Sequence, residues 1–150
     1  MIIHIDNNPI EQVKSTEFIG VIINENVTWT DYLNILISKV SKGIGVIRRL
    51  SRIMPADVLR SLYVSLIHPY FEYCNIAWDS CRSSLLNKLF ICQKKAIRLI
   101  TCSKWNSHTS PLFKSNNILK VFDLPVLQVG SFMYKGMKNL LPAAFTNFVC

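Results

Sequence analysis

The spacing of hydrophobic positions changes near Trp29. Before it, apolar residues alternate loosely over residues 2–5, and residues 6–9 carry Asp, Asn and Pro, which favour turns. We therefore predict a β-hairpin that returns over residues 10–13. A third strand is predicted from Glu17 to Ile23, because the β-branched residues at its end favour extended backbone. Gly20 inside that strand predicts a bulge or a close approach of the backbone.

After Trp29 the spacing is helical. We predict a first helix capped by Thr30, and a second that starts at Pro55 and ends or kinks at His68 and Pro69, where proline clashes with the preceding turn. Residues 70–78 follow as a buried connector. The predicted buried faces of the two helices are Leu33, Leu36, Ile37, Val40, Ile44 and Ile47, and then Val58, Leu59, Leu62, Tyr63, Leu66 and Ile67.

The clearest helical pattern runs from Ser83 or Ser84 to about Thr101. Its predicted buried face is Leu85, Leu86, Leu89, Cys92, Ala96, Ile97, Leu99 and Ile100. A short helix is predicted to begin near Pro111. A final helix, capped by Asp123, is predicted to bury Leu124, Leu127, Phe132 and Met133. The predicted fold class is mainly α, with a short N-terminal hairpin and strands followed by a helical bundle.

The net charge of +8 is unevenly distributed. Residues 1–37 carry one base against five acids, whereas residues 38–150 carry sixteen bases against four acids. No acid lies between Arg82 and Lys104, so the third helix has no i,i+4 ion pairs. Such a face is either a solubilising surface or a phosphate-binding one, and the lack of interleaved acids favours phosphate. The predicted nucleic-acid-binding residues, each opposite an apolar stripe, are Lys42, Arg49, Arg52, Lys88, Lys94, Lys95 and Arg98.

The sequence predicts no catalytic residue, metal or cofactor in this chain. The nine acids form no Asp-Asp or Asp-x-Asp pair that could hold two metal ions, and there is no Gly-rich phosphate loop. The five cysteines form no CxxC pair, so we expect buried thiols, with a zinc site built around His68 or His108 as the alternative. With no apolar run of membrane-spanning length and no leader, we expect no membrane contact and an intracellular location, nuclear or cytoplasmic.

Several strings then follow one another in a familiar order. They are residues 18–23 (Phe-Ile-Gly-Val-Ile-Ile) before Trp29 and a basic helix, residues 65–70 (Ser-Leu-Ile-His-Pro-Tyr) with Tyr73 and Trp78, residues 89–98, 108–114, 118–120 and 132–134. Together they resemble the end of the palm and the thumb of reverse transcriptases from non-LTR (LINE-type, jockey-like) retrotransposons. The resemblance covers most of the chain, although this sequence has Cys74 where the family usually has glycine.

The resemblance implies a palm remnant over residues 1–28, a helical thumb over 29–103 and a C-terminal helical extension over 104–150. It implies that Phe18, Ile19 and Gly20 lie near a primer-gripping turn. The chain would then be a fragment of an RNA-directed DNA polymerase, not catalytically competent alone, that contacts the backbone of an RNA/DNA duplex. The catalytic carboxylates and their divalent metal would belong to a missing palm, upstream with the fingers. The alternative is a non-catalytic helical protein-interaction module or a non-functional relic.

Overall fold

The computed structural model describes residues 4–5, 8–9, 12–142 and 145. Two antiparallel strand pairs come first, β1 (His4–Ile5) with β2 (Asn8–Pro9) and β3 (Ser15–Phe18) with β4 (Val21–Asn24). The helices follow as α1 (Thr30–Leu50), α2 (Ala56–Leu66), α3 (His68–Glu72), α4 (Asn75–Trp78), α5 (Ser83–Ile100), α6 (Ser110–Ser115) and α7 (Asp123–Met137). The predicted fold class, mainly helical after short N-terminal strands, is confirmed.

The predicted third strand is wrong, because residues 17–23 belong to two strands joined by a turn. Phe18 pairs with Val21, and Ile19 and Gly20 form the two-residue loop between them. Both loop residues have positive φ, 49° and 75°, as a type I′ hairpin turn requires. Gly20 therefore marks a reversal of the chain and not a bulge, since glycine adopts this backbone at no steric cost.

The first hairpin exists, but with a different register from the predicted one. Asn8 and Pro9, which we placed in the turn, pair with Ile5 and His4. Of the predicted returning strand, residues 10–11 lie outside the described residues, and residues 12–13 are not in a strand.

One hydrophobic core joins the helices, with α1 packed along α5 and α2 against both. Most of the predicted buried positions on α1 and α5 are confirmed. On α2 the prediction was too broad, because only Leu59, Tyr63 and the following Ile67 are buried while Val58 and Leu66 are exposed. The core also takes in Val21 from the hairpin and Phe113, Ile118, Val121 and Leu124 from beyond α5. It thus includes residues from all three segments predicted as palm, thumb and extension.

A buried glutamine ties three parts of this core together. Gln93 Nε2 donates to the Tyr63 hydroxyl at 3.0 Å and to Leu119 O at 2.8 Å, and its Oε1 accepts the Val121 N–H at 2.9 Å. Burial raises the pKa of Tyr63 to about 12, with the Gln93 hydrogen bond acting in the opposite direction. Because each polar atom of the glutamine has a partner, its burial costs little.

The predicted starts of α5 and α6 are confirmed, but two of the predicted helix caps are wrong. Thr30 and Asp123 are the first residues of α1 and α7 rather than caps, and the residues before them are Trp29 and Phe122. The break at His68 and Pro69 is confirmed, since α2 ends at Leu66 and α3 starts at His68.

The predicted connector over residues 70–78 is folded into α3 and α4. It buries Phe71, Asn75 and Trp78 and leaves Tyr73 exposed. Cys74, between the two helices, has a φ of 52°. This left-handed backbone favours glycine, the residue that the predicted resemblance implies at this position.

The prediction of buried thiols is partly wrong. Cys92 is buried and Cys81 is half-buried, but Cys74 and Cys102 are exposed. All four are free thiols, and Cys150 lies outside the described residues.

The predicted buried face of α7 is also wrong beyond its first turn. Leu124 and Pro125 are buried, where the helix packs against α3 and α4. Leu127, Phe132 and Met133 are exposed. The helix extends past the elements that cover its start. Farther along it, Phe132 makes an edge-on ring contact with Phe145, with 6.1 Å between the ring centroids, but most of the apolar stripe is exposed.

Candidate nucleic-acid interface

The most strongly basic part of the chain surrounds α5. Residues 80–122 contain no acid, and their eight bases are Arg82, Lys88, Lys94, Lys95, Arg98, Lys104, Lys114 and Lys120. Among the described residues, the one close contact between a basic and an acidic side chain joins His68 Nε2 and Glu72 Oε1 at 3.3 Å. In the described ranges, therefore, no lysine or arginine is paired with a carboxylate.

Lys88 and Lys95 form the free part of the α5 surface. Both are exposed, and neither ammonium group has a polar partner among the described residues. Seven residues apart on one helix, they lie about 20° apart around the axis and about 10 Å apart along it. They present two unneutralised charges on one side of α5.

Lys94 and Arg98, the other two predicted contacts on α5, are half-buried and engaged within the protein. Lys94 Nζ lies 4.2 Å from the centre of the Phe90 ring, a cation–π contact. Arg98 donates from Nε and Nη2 to Ser107 O, at 3.2 and 3.1 Å. Arg98 has further N–H donors, but these hydrogen bonds tie its guanidinium to the loop after α5. Of the four predicted cations on α5, two thus have no polar partner within the described residues and two contact other groups of the protein.

The three predicted cations of α1 form a separate surface. Lys42 and Arg49 are exposed on the side of α1 opposite its buried stripe, and Arg52 is exposed just beyond the helix end. Since the buried stripe packs on α5, Lys42 and Arg49 face away from that contact. They are accessible to a polyanion but do not join the α5 cations in one recess.

A recess between α1, α5 and the following loop brings together a different set of cations. It has a volume of about 330 Å³. Its lining residues are Arg48, Lys95, Arg98, Leu99, Ser103 and Trp105. Among the described lining residues there is no acid, and the Trp105 side chain is 86% exposed. Cations beside an open aromatic face are a combination that binds nucleic acids.

Arg48 and Trp105 were missed by the sequence reasoning. At 100° per residue, Arg48 falls at the flank of the buried stripe of α1, beside Ile47, and not on the outer face. That flank position signalled proximity to a neighbouring helix. Trp105 lies between Lys104 and Asn106 in an acid-free polar segment, where a lone aromatic residue was the available signal.

The residues predicted near a primer-gripping turn do form a hairpin turn. Phe18 and Ile19 are exposed, and the Tyr73 hydroxyl donates a hydrogen bond to Ile19 O. Beside this turn is a recess of about 540 Å³ between the hairpin, α1 and α3, whose lining includes Tyr32 and Lys39. Burial raises the pKa of Tyr32 to about 12. The primer-gripping role of the turn stays a prediction.

No family model, curated protein or solved structure matches this chain. The resemblance to non-LTR reverse transcriptases therefore stays a prediction. In the described ranges, no three His, Cys, Asp or Glu side chains are grouped as metal ligands would be. No helix in those ranges has the length and apolar character needed to cross a bilayer.

Proposed function

We propose that this chain binds nucleic acid through the phosphate backbone, without reading base sequence, on the exposed surface of α5. The observation that carries the proposal is the pair Lys88 and Lys95 in a segment without acids. Free cations that displace counterions from phosphates gain affinity, whereas ion-paired ones must first lose their partner. Contacts to phosphate position a protein on a duplex and carry no sequence information directly.

We further propose the role implied by the resemblance, that of a thumb in an RNA-directed DNA polymerase of the non-LTR type. A polymerase must hold any duplex, which suits helices that are apolar inside and basic outside. The hairpin turn at Ile19 and Gly20, upstream of those helices, and the left-handed Cys74 support the same proposal. In this role the chain contributes binding, and the paired carboxylates of the reaction belong to another part of the enzyme.

A second candidate function is a protein-interaction module, which the exposed apolar face of α7 favours. Its exposed side chains include Val126, Leu127, Met133 and Met137. Salt separates the two functions. The affinity for phosphate falls steeply as the salt concentration rises, because the release of counterions becomes less favourable. The affinity of apolar docking does not fall in this way.

The test is the affinity of the full chain for a labelled RNA/DNA duplex, measured by fluorescence anisotropy between about 50 and 200 mM salt. We expect the logarithm of the association constant to fall linearly with the logarithm of salt concentration, by about 0.9 per phosphate neutralised. The double variant Lys88→Glu with Lys95→Glu should lose at least about tenfold in affinity and reduce the slope by about two. Affinity that does not respond to salt would contradict the proposal.

A matched control is available at the end of α7. Lys135 and Lys138 are both exposed, and reversing them to Glu changes the net charge by the same amount. This control should bind within about threefold of the parent, because the surface of α5 is intact. Equal losses in the two double variants would mean that net charge alone, and not the α5 surface, attracts the duplex. Arg98 is left unchanged because its substitution would release Ser107 and disturb the loop.

A further inference from the structure

Trp105 stands out among the three tryptophans. Trp78 is fully buried and Trp29 is half-buried, whereas Trp105 is 86% exposed, more than any other large apolar side chain in the described ranges. It lines the recess together with Arg48, Lys95 and Arg98. The informative feature is therefore not the exposure of the indole alone but its position in one recess with three cations.

The loop that carries Trp105 is held at both ends. Ser103 N donates to Arg98 O at 2.9 Å, and Ser107 N donates to Lys104 O at 3.0 Å, which closes a turn around Trp105. The Arg98 guanidinium holds Ser107 O from the helix side. The backbone that carries the indole is therefore held in a defined place, so a ligand that stacks on Trp105 loses less conformational entropy than on an unconstrained loop. Arg98 acts here as a positioning residue.

We propose that this recess binds an unpaired nucleotide, whose base stacks on Trp105 while its phosphate lies between Arg48 and Lys95. The proposal rests on the proposed function and adds a ligand preference to it, a duplex that ends in a single-stranded extension. Aromatic side chains next to a positive groove bind single strands regardless of sequence, because every base has a π face. A paired base inside a duplex does not offer that face. The volume of about 330 Å³ is that of a small ligand cleft.

The exposed indole of the recess, and not its charge, favours a nucleotide over an acidic peptide. Arg48, Lys95 and Arg98 would attract a carboxylate as well as a phosphate, but a carboxylate makes no use of the exposed indole. The nucleotide uses both halves of the site at once. An acidic polymer is therefore the appropriate competitor.

The experiment compares a blunt RNA/DNA duplex with the same duplex carrying a short unpaired extension on either strand, using the full chain at one salt concentration. We expect one of the extensions to raise the affinity about tenfold over the blunt duplex. It should also protect tryptophan fluorescence from quenching by acrylamide, since Trp105 is the tryptophan that the quencher reaches most easily. Polyglutamate should compete poorly with the extended duplex.

Substitutions then assign the effect to the recess. Trp105→Ala should reduce the ratio of the two affinities to about one, and Trp105→Phe should keep most of it, because a phenyl ring also stacks. Neither change should unfold the chain, since the side chain is exposed, and circular dichroism checks this. Val126→Ala, which removes part of a side chain that is 73% exposed on α7, should leave the ratio unchanged.

The outcomes distinguish this inference from the function on which it rests. If the blunt duplex binds with the expected salt dependence but no extension adds affinity, the recess proposal is overturned and the proposed function stands. The same follows if Trp105→Ala leaves the ratio high, or if polyglutamate displaces the extended duplex as well as a nucleic acid does. Binding of neither duplex overturns the proposed function and this inference together.

Discussion

Two long helices, α5 and α7, carry the same kind of sequence pattern and have different fates in the fold. Both were predicted to bury an apolar stripe. The residues that α5 buries are Leu85, Leu86, Leu89, Cys92, Gln93, Ala96, Ile97 and Ile100. In contrast, α7 buries Leu124 and Pro125 and leaves most of its other apolar residues exposed. A helical period thus predicts which residues share a face, but not whether another element covers that face.

The difference comes from the number of neighbours along each helix. α5 packs along α1, contacts α2 and α6, and is tied to the segment before α7 through Gln93. α7 packs against α3 and α4 near its start, where Gln128 Nε2 donates to Glu72 O at 3.0 Å. Since most helical stability in proteins comes from tertiary packing, the two helices should differ in their contribution to the free energy of unfolding.

The largest effect on the free energy of unfolding is expected from one member of a matched pair of leucine substitutions. Leu89 is fully buried on α5, and Leu127 is 54% exposed on α7. Leu89→Ala should lower the free energy of unfolding by about 3 kcal/mol, because it removes buried methyl groups and leaves a cavity. Leu127→Ala should lower it by about 0.5 kcal/mol or less. Urea denaturation measures both, and equal losses would show that the α7 stripe is covered in solution.

A smaller loss is expected from Gln93→Leu. The substitution leaves the buried Val121 N–H without its acceptor and Leu119 O without its donor, at a cost of about 2 kcal/mol. Tyr63→Phe is the control, because it removes one partner and keeps both backbone bonds of the glutamine, so it should cost about 1 kcal/mol. A Gln93→Leu variant as stable as the parent would mean that the hydrogen bonds between Gln93 and the segment before α7 do not stabilise the fold.

The smallest effect is expected from Gln128→Ala, which removes the hydrogen bond between α7 and Glu72. We expect a loss of about 0.5 kcal/mol in global stability, since the bond is exposed. Amide hydrogen exchange in α7 should accelerate, while exchange in α5 should be unchanged, because helices with few packed neighbours open locally. Faster exchange in both helices would contradict the expectation that α7 opens locally while α5 stays closed.

The helical part of the fold could be predicted well from the sequence. The apolar spacing located α1, α2 and α5, and the break at His68 and Pro69 followed from proline geometry. The hairpin was harder to predict, because a glycine within an apolar segment is compatible with a bulge in one strand and with a turn between two strands. Only the pairing of Phe18 with Val21 distinguishes the two.

The candidate site was predictable as a charge pattern but not as a place. The acid-free stretch around α5 was visible, and Lys88 and Lys95 are exposed as expected. That Lys94 is held by Phe90 and Arg98 by Ser107 depends on how the rings and the loop fold back. Arg48 and Trp105 line one recess because α1 packs along α5, which brings Arg48 near the loop that follows α5.

The sequence by itself determined the mainly helical class, the apolar faces of α1 and α5, and a positive charge concentrated after residue 37. These are local properties, since propensity, period and charge are carried by each segment alone. Only the tertiary structure decided that α5 is covered while most of the apolar face of α7 is exposed, and that Arg48, Lys95 and Trp105 share one recess. Burial and proximity depend on which segments pack together, because each helical face is satisfied or left open by residues far away in the chain.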